Sequence, residues 1–385
     1  MLELLVASLL PVAAASGWYA AKRHYIRIYC IDHVRLPAST YCRGLNYLLN
    51  EKTDEALDTF ARLLEEDCEA IETRIALGNL FRRQGDVEKA IEIHEKLNRD
   101  PDLSETVKAN ASFELGVDYM RAGLFDRAET IFKGLSDSET RGKAALQQLL
   151  LLYQQEKDWR NAISCTRKLL KFSSLPRGEN VAQFLCELAE EALASGALEK
   201  GLDYLAQALQ EEPGCVRASL VKARWEFSQE DYTGALRTLH RVEQQNPAYL
   251  VEILELLVAC HEHLGEQGKL RDCLGRLFWD FGLVEAAIVL SERILKEEGP
   301  RAAVDSLLAA LEKKPSLSGL RYAVALLSVP GQEEGPSDMK RVAMILNRLG
   351  ADLPLYRCRE CGFSGTQLHW RCPSCQSWGS ITPTS

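Results

Sequence analysis

The chain has 385 residues, 46% of them hydrophobic and 26% charged, so several folded units or a repeat array are expected and wholesale disorder is excluded. Its formal net charge of −9 argues against a nucleic-acid-binding protein, because that class needs a basic surface. The 12 cysteines would suit a secreted disulfide protein, but all except the last four are dispersed, which favours a reducing compartment.

The first predicted element is a transmembrane anchor over residues 1–21. Residues 4–21 carry no charge, and 18 residues in a helix span about 27 Å, close to a bilayer core of about 30 Å. A cleaved signal peptide is the alternative, since Ala13, Ala14 and Ala15 are small, but it needs basic residues before the apolar stretch. Here they follow it, which predicts an uncleaved anchor with the bulk of the chain facing the cytoplasm.

Residues 22–40 are predicted to form a basic juxtamembrane linker. Lys22, Arg23, Arg27 and Arg35 lie in it with a single acid, Asp32. Such a segment can rest on an anionic leaflet, and it is equally compatible with a solvated linker.

A repeat with a period near 34 residues runs through residues 41–318. Small residues recur in similar contexts at Ala56, Ala90, Ala128, Ala162, Gly201, Ala235 and Ala303. Their intervals are 34, 38, 34, 39, 34 and 68 residues, and 34 is the tetratricopeptide period. The intervals of 38 and 39 indicate insertions between helices. The interval of 68 is two periods, so one further unit is placed around Gly268 by spacing alone. Each unit is expected to be two antiparallel helices that bury their small-residue face by stacking on neighbours.

Other positions agree with this period. Gly78 and Gly116 each stand twelve residues before one of the alanines, where the two helices of a unit should pack closely. Pro213, Pro247 and Pro315 fall where second helices should end. Residues 319–353 are assigned to capping helices and a linker.

Such an array predicts a concave groove for a protein partner; a purely structural spacer is the alternative. Polar residues on the first helices of the units can hydrogen-bond a partner's backbone or carboxylates. The candidates are Asn79, Arg82, Arg83, Asn110, Arg121, Gln147, Gln154 and Arg224.

Several other features of the sequence were weighed as metal or catalytic sites, and none of them predicts one. In the run from Cys260 to His263 the two histidines are two residues apart, so they do not share a helix face, and the run is interpreted as helix surface. His94 occupies an apolar slot of its repeat and is expected to pack rather than to bind a metal. No phosphate-binding loop, dinucleotide-binding fingerprint or nucleophile elbow occurs, so neither an enzyme nor a small-molecule substrate is expected.

The chain ends in two C-x-x-C pairs within residues 354–385, here called the knuckle. Cys358, Cys361, Cys372 and Cys375 can surround one ion as a tetrahedral set of four thiolates, which suits zinc or iron. Four protein ligands leave no open position, so the ion is structural or redox-active rather than hydrolytic.

The residues that follow the cysteine pairs and the aromatic residues of the knuckle give two further predictions. Gly362 follows the first pair, where the turn often needs positive φ, whereas Gln376 follows the second, which predicts a less regular turn there. Phe363, Trp370 and Trp378 supply aromatic mass to a domain too small to fold without its metal.

The sequence therefore predicts an all-α tetratricopeptide-repeat superhelix with an N-terminal transmembrane helix and a small C-terminal metal domain. This order resembles the lipopolysaccharide assembly protein B family of Gram-negative bacteria. The stretches that carry the resemblance are MLELLVASLLPVAAASGWY, LGNLFRRQGDVEKAIEIHEKL and YRCRECGFSGTQLHWRCPSCQSWGSI.

The resemblance implies an inner-membrane adaptor that regulates lipopolysaccharide output. It would present the deacetylase that commits precursor to lipid A synthesis to a membrane-anchored AAA+ protease. The terminal domain would be rubredoxin-like, with iron as a possible ion and the four knuckle cysteines as its ligands. An assembly platform for lipopolysaccharide synthesis and transport proteins, without a proteolytic role, is the alternative; a redox-active domain on a scaffold is a third hypothesis.

Overall fold

The computed structural model describes residues 71–172, 178–327 and 354–384, together with the single positions 44, 47, 55 and 59. The predicted anchor, the basic linker and residues 328–353 lie outside the described residues. No helix in the described ranges is both long and apolar enough to cross a bilayer. The chain divides into two compact units, Met1–Leu152 and Tyr153–Ser385.

The described part of residues 41–327 is built of helices that follow one another in pairs. The pairs are α1 (Ile71–Gln84) with α2 (Val87–Arg99), α3 (Glu105–Arg121) with α4 (Phe125–Leu135), α5 (Gly142–Glu156) with α6 (Trp159–Leu170), α7 (Gly178–Ala194) with α8 (Leu198–Glu211), α9 (Val216–Ser228) with α10 (Tyr232–Gln245), α11 (Leu250–His263) with α12 (Gln267–Phe281) and α13 (Val284–Glu297) with α14 (Pro300–Lys313). A 3-10 turn, Pro247–Tyr249, precedes α11, and α15 (Leu317–Leu327) follows the last pair.

Ala56 lies outside the described residues, and the other small residues that set the period lie in buried positions on the second helices. Ala90, Ala128, Ala162, Ala235 and Ala303 have no exposed surface. Because a larger side chain there would push the helices apart, the spacing of small residues is a packing requirement. The prediction of a tetratricopeptide array is confirmed.

The glycines of the first helices explain how closely the helices approach. A Cβ atom added at Gly78 would lie 2.5 Å from the ring of His94, and one at Gly116 would lie 2.7 Å from the ring of Phe132. Glycine is therefore required at both positions because the facing ring fills the space that a methyl group would occupy.

A second repeated position, which no sequence pattern had revealed, is the turn inside the described helix pairs other than α13–α14, where Gly299 lies four places before Ala303. The residue five places before the small one has a left-handed backbone: Gly85, Gly123, Lys157, Gly196, Glu230 and Gly265, with φ between 59° and 91°. Lys157 and Glu230 break the glycine pattern that would have revealed this position.

The same spacing identifies the degenerate seventh unit. Five residues after Gly265 stands Leu270, which is 1% exposed and fills the slot that the other units give to alanine or glycine. The helix pair α11–α12 is thus present, as the spacing predicted, but with a large residue in the small-residue slot.

Replacing Lys157 by glycine is expected to raise the free energy of unfolding by about 1 kcal/mol, because an L-residue is strained in the left-handed region. Urea denaturation followed by circular dichroism measures the change. Lys168→Gly, at an exposed site in α6, is the matched control and should lower stability by about 1 kcal/mol through lost helix propensity. Destabilisation by both variants to the same extent would contradict the assignment of strain.

The first unit holds a buried network of charges around His94. His94 and Asp118 are fully buried, and Nδ1 of His94 lies 2.5 Å from Oδ2 of Asp118. The other oxygen of Asp118 accepts a hydrogen bond from Arg82 at 2.8 Å, and Arg82 also pairs with Glu114 at 2.7 Å. The expectation that His94 packs in its repeat is confirmed, with Asp118 of the next repeat in the same compact unit as its partner.

Asp118→Asn is expected to lower the free energy of unfolding by about 2 kcal/mol, because His94 and Arg82 lose the charge that both face in a dry environment. Chemical denaturation of the purified protein gives the value. Asp126→Asn, at an exposed position in α4, should change stability by less than about 0.5 kcal/mol. Equal effects from the two variants would show that the network adds nothing.

The knuckle contains a three-stranded antiparallel sheet. Its strands are β1 (Tyr356–Cys358), β2 (Ser364–Gly365) and β3 (Ile381–Pro383), in the order β2-β1-β3. In the register of β1 with β3, Cys358 stands opposite Ile381. The sheet thus fixes the first cysteine of the set, and Ile381, which is 1% exposed, packs beside it.

Candidate metal centre

Each C-x-x-C pair is held in a tight turn by two backbone hydrogen bonds. In the first turn the amide of Cys358 donates to the carbonyl of Phe363 at 2.7 Å, and in the second that of Cys372 donates to Ser377 at 2.9 Å. In both, the residue after the second cysteine donates back to the carbonyl of the first cysteine, at 3.0 and 2.9 Å. The two turns are therefore built in the same way.

The residue that follows each pair has a left-handed backbone. Gly362 has φ 76° and Gln376 has φ 60°. The expectation that the second turn is less regular is wrong, because Gln376 adopts the conformation usually left to glycine. Its side-chain oxygen accepts a hydrogen bond from Arg371 at 2.8 Å, which holds it in place.

The turns bring the four sulfurs together. The Sγ atoms of Cys358 and Cys375 are 3.7 Å apart, as are those of Cys361 and Cys372, and all four lie within 4.8 Å of one another. A tetrahedral ion with metal–sulfur distances near 2.3 Å has sulfur–sulfur edges of about 3.8 Å, whereas a disulfide needs about 2.05 Å. The site fits one tetrahedral metal ion and excludes disulfides among these four residues.

The surroundings of the sulfurs differ. Cys358 and Cys372 are buried, and Cys361 and Cys375 are exposed. A hydrogen bond with the hydroxyl of Ser380, whose Oγ is 3.3 Å from Sγ, is the main reason that the pKa of Cys358 falls to about 6. Since thiolate is the ligating form, this hydroxyl favours metal binding at neutral pH.

In the second turn one cysteine has a lowered pKa and the other has a raised pKa. The pKa of Cys375 is lowered, first by a hydrogen bond with the Ser377 hydroxyl, while burial raises the pKa of Cys372 to about 11. Burial favours the neutral thiol at Cys372, and the positive charge of a bound ion would offset that preference.

The knuckle docks on the helices of the second unit chiefly through Trp378. Its ring stands edge-on to Trp159, with centroids 5.9 Å apart, and to Phe184, at 5.6 Å. Its indole nitrogen donates a hydrogen bond to Oε1 of Gln154 at 3.0 Å. The guanidinium carbon of Arg217 lies 6.0 Å from the ring centroid. Trp378 is thus seated in an aromatic pocket with its polar atom paired.

A second contact region involves the turn before α11. The hydroxyl of Tyr249 donates to the carbonyl of Ile381 at 2.8 Å, and the ring of Tyr249 stacks on Trp370 at 5.7 Å. The hydroxyl of Tyr356 donates to Glu252 at 2.5 Å. Leu368 and Trp370 pack against the buried apolar cluster that runs through α9 to α12. The knuckle therefore shares a core with the repeats.

Comparison with known proteins identifies the two kinds of module. The family model described as a rubredoxin metal binding domain matches residues 356–383, and tetratricopeptide repeat models match residues 73–105 and 192–260. Lipopolysaccharide assembly protein B of Escherichia coli K12 is 34% identical over 387 residues, covering 100% of this chain and 98% of that protein. The chain belongs to the lipopolysaccharide assembly protein B family. The Haemophilus influenzae protein of the same name is also 34% identical, over 397 residues, with 100% and 99% of the two chains covered.

The candidate partner residues fall into two groups in this family member. Four make contacts within the chain: Arg82 and Asn79 bond each other beside the Asp118 network, Asn110 accepts from Arg141 at 2.6 Å, and Gln154 accepts from Trp378. The other four are exposed: Arg83, Arg121, Gln147 and Arg224.

The run at the end of α11 is not all helix surface. Cys260 and His261 are buried, with 0% and 5% of their surface exposed, whereas Glu262 and His263 are exposed. The surface interpretation is wrong for the first two because a helix that packs between neighbours buries a broad stripe. The two histidines point to different environments, so the run is not a metal site.

The docking residues were missed by sequence reasoning. The sequence predicts Phe363, Trp370 and Trp378 as core residues of the knuckle, yet both tryptophans contact the repeats. Their partners Tyr249 and Phe184 carry no motif. The available signal was two tryptophans in a domain with few core positions, which is more aromatic surface than so small a domain can bury by itself.

Proposed function

We propose that this chain is a membrane-tethered cytoplasmic adaptor that regulates lipopolysaccharide synthesis. It would promote degradation of the deacetylase that commits precursor to lipid A synthesis, by presenting that enzyme to a membrane-anchored AAA+ protease. Membership of the lipopolysaccharide assembly protein B family along the whole chain supports the pathway. A tetratricopeptide scaffold supports a role in binding proteins rather than in catalysis.

The single observation that carries the adaptor role is the docked knuckle. A closed four-cysteine site has no open coordination position, so its ion would be structural or redox-active rather than hydrolytic. Its knuckle is seated on several first helices at once, through Gln154, Phe184 and Glu252. A bound ion would thereby help to hold neighbouring repeats in one arrangement, which suits presentation of a partner.

In this proposal Cys358, Cys361, Cys372 and Cys375 hold the ion, either iron or zinc. The exposed residues Arg83, Arg121, Gln147 and Arg224 are the groove candidates that remain available to a partner. The anchor predicted at residues 1–21 would keep the scaffold beside membrane proteins and raise their effective concentration.

Depletion of the protein tests the proposal. The half-life of the deacetylase should lengthen and its level rise, with a rise in lipopolysaccharide content, and a plasmid copy of the intact chain should reverse both. Unchanged deacetylase turnover would reject the adaptor role. If crosslinking in native membranes then captured transport components but never the protease, an assembly platform would take its place.

The groove candidates are tested by pull-down from native membranes. Arg121→Glu should reduce recovery of the partner because it reverses a charge at an exposed first-helix position. Lys168→Glu, exposed on the second helix α6, is the matched control and should leave recovery unchanged. Equal recovery with both variants would remove Arg121 from the partner surface.

A further inference from the structure

Two buried cysteines outside the metal centre face each other beneath the docked knuckle. Cys186 lies in α7 and Cys215 is the N-cap residue of α9; they are 0% and 4% exposed. Their Sγ atoms are 3.9 Å apart. The two thiols are within hydrogen-bonding distance for sulfur, and a disulfide of roughly 2.05 Å requires the sulfurs to approach by about 1.9 Å.

The two thiols have different electrostatic surroundings. The hydrogen bond with Cys186 lowers the pKa of Cys215, with smaller contributions from the amide of Ala218 at the start of α9 and from the guanidinium of Arg217. The same hydrogen bond and burial raise the pKa of Cys186 well above its ordinary value. These directions favour the thiolate at Cys215, which is also the one of the two cysteines that lines a cavity.

A small cavity reaches Cys215 at the boundary between knuckle and repeats. Its volume is about 140 Å³, and its lining includes Cys215 and Gln183 from the repeats and Arg359, Trp370 and Trp378 from the knuckle. A water molecule occupies about 30 Å³ in the liquid, so the cavity has room for a molecule of the size of hydrogen peroxide. The knuckle forms one wall of the space through which such a molecule would reach the sulfur.

We propose that Cys186 and Cys215 form a peroxide-reactive thiol pair that closes to a reversible disulfide, with access to Cys215 governed by the docked knuckle. The cysteines that hold the metal take no part in this step. The proposal is independent of the adaptor role. It concerns how oxidation in the cell would change the surface of the repeats on which the knuckle is docked.

The chemistry balances with hydrogen peroxide as the oxidant. The thiolate of Cys215 attacks one peroxide oxygen, an S–O bond forms, the O–O bond breaks, and hydroxide leaves to become water. The thiol of Cys186 then attacks the sulfur of the sulfenic acid, the S–S bond forms, and the second oxygen leaves as water with the thiol proton. Two thiols lose two electrons to one peroxide, and a dithiol reductant reverses the change by exchange.

The experiment uses the full-length, metal-loaded protein. After brief treatment with hydrogen peroxide, free thiols are alkylated and peptides are analysed by mass spectrometry under non-reducing conditions. A cross-linked peptide that joins Cys186 to Cys215, and that disappears after dithiothreitol, is expected. Metal content is measured in the same samples. If metal is released and knuckle cysteines oxidise while the cross-link stays absent, the proposal is overturned.

Single replacements separate the two thiols. In Cys186→Ala, dimedone should label Cys215 as a trapped sulfenic acid; in Cys215→Ala, Cys186 should remain unlabelled. Cys260, which is fully buried and has a pKa raised to about 11 by burial, is the internal reference and should react at least ten-fold more slowly than Cys215. Equal labelling of Cys215 and Cys260 would overturn the assignment of Cys215 as nucleophile.

Trp378→Ala tests the role of the knuckle. Loss of this wall should increase the rate of disulfide formation several-fold, while the labelling rate of Cys260 stays unchanged. An unchanged rate of disulfide formation would show that the knuckle does not govern access, and an equal rise at Cys260 would show general loosening of the repeats instead.

Discussion

Cys358→Ser is expected to abolish stoichiometric metal binding and to release the knuckle from the repeats. One of the four sulfurs is lost, and the remaining three cannot complete the tetrahedral set that the spacing of 3.7 Å defines. In zinc-finger peptides such sites contribute about 10–16 kcal/mol of apparent binding free energy at pH 7, and that energy is folding energy. The knuckle has only short strands of three, two and three residues and cannot replace it.

The metal content of the purified variant should fall from one ion per chain to a small fraction of that. Limited proteolysis should cut within residues 354–384 in the variant and should spare them in the intact protein. Cys273→Ser is the control, because Cys273 is also buried but lies in α12, outside the four-sulfur set. A Cys358→Ser protein with full metal content and an intact knuckle would contradict the assignment of Cys358 as a ligand.

The parts of the fold that were predictable from sequence depend on local rules. A tetratricopeptide unit needs a small residue wherever two helices cross, so Ala90 and Ala128 reveal the period without any knowledge of the tertiary structure. Likewise, two C-x-x-C pairs define their own turns, and the four sulfurs meet as the spacing predicted.

The parts that were not predictable depend on context. Gln376, Lys157 and Glu230 adopt left-handed backbones without being glycine, because the turn around each of them fixes the conformation more strongly than the residue opposes it. The residue type does not mark these positions, although Lys157 and Glu230 share the spacing of the glycines in the other repeats. Similarly, Leu270 hides the seventh unit because its slot tolerates a large side chain.

Docking of the knuckle is the feature furthest from any local signal. The bond between Trp378 and Gln154 joins residues 224 positions apart in the chain. Gln154 is polar and lies on a first helix, which predicts a groove residue; its side chain is instead bound by the chain's own C-terminal domain. In this part of the array the knuckle already occupies a surface that a partner would otherwise meet.

This arrangement links the metal to the repeats. Removal of the ion would unfold the knuckle, and the side chains now paired with it would become solvent-exposed: Tyr249, Glu252 and the aromatic rings around Trp378. The surface presented by the second unit therefore depends on whether the site is filled. A variant that detaches the knuckle while keeping its metal can separate these two effects.

Trp378→Ala should be that variant. Truncation of a tryptophan packed against Trp159 and Phe184 is expected to weaken docking by about 3 kcal/mol, while the four cysteines and their turns remain. Hydrogen exchange should then increase at Tyr249 and in β3 with metal content unchanged. Trp378→Phe is the matched control, since it keeps a ring in the pocket and loses only the bond to Gln154, worth about 1 kcal/mol. If Trp378→Ala instead lost its metal, the knuckle would need the repeats in order to fold, and docking would be part of the metal site itself.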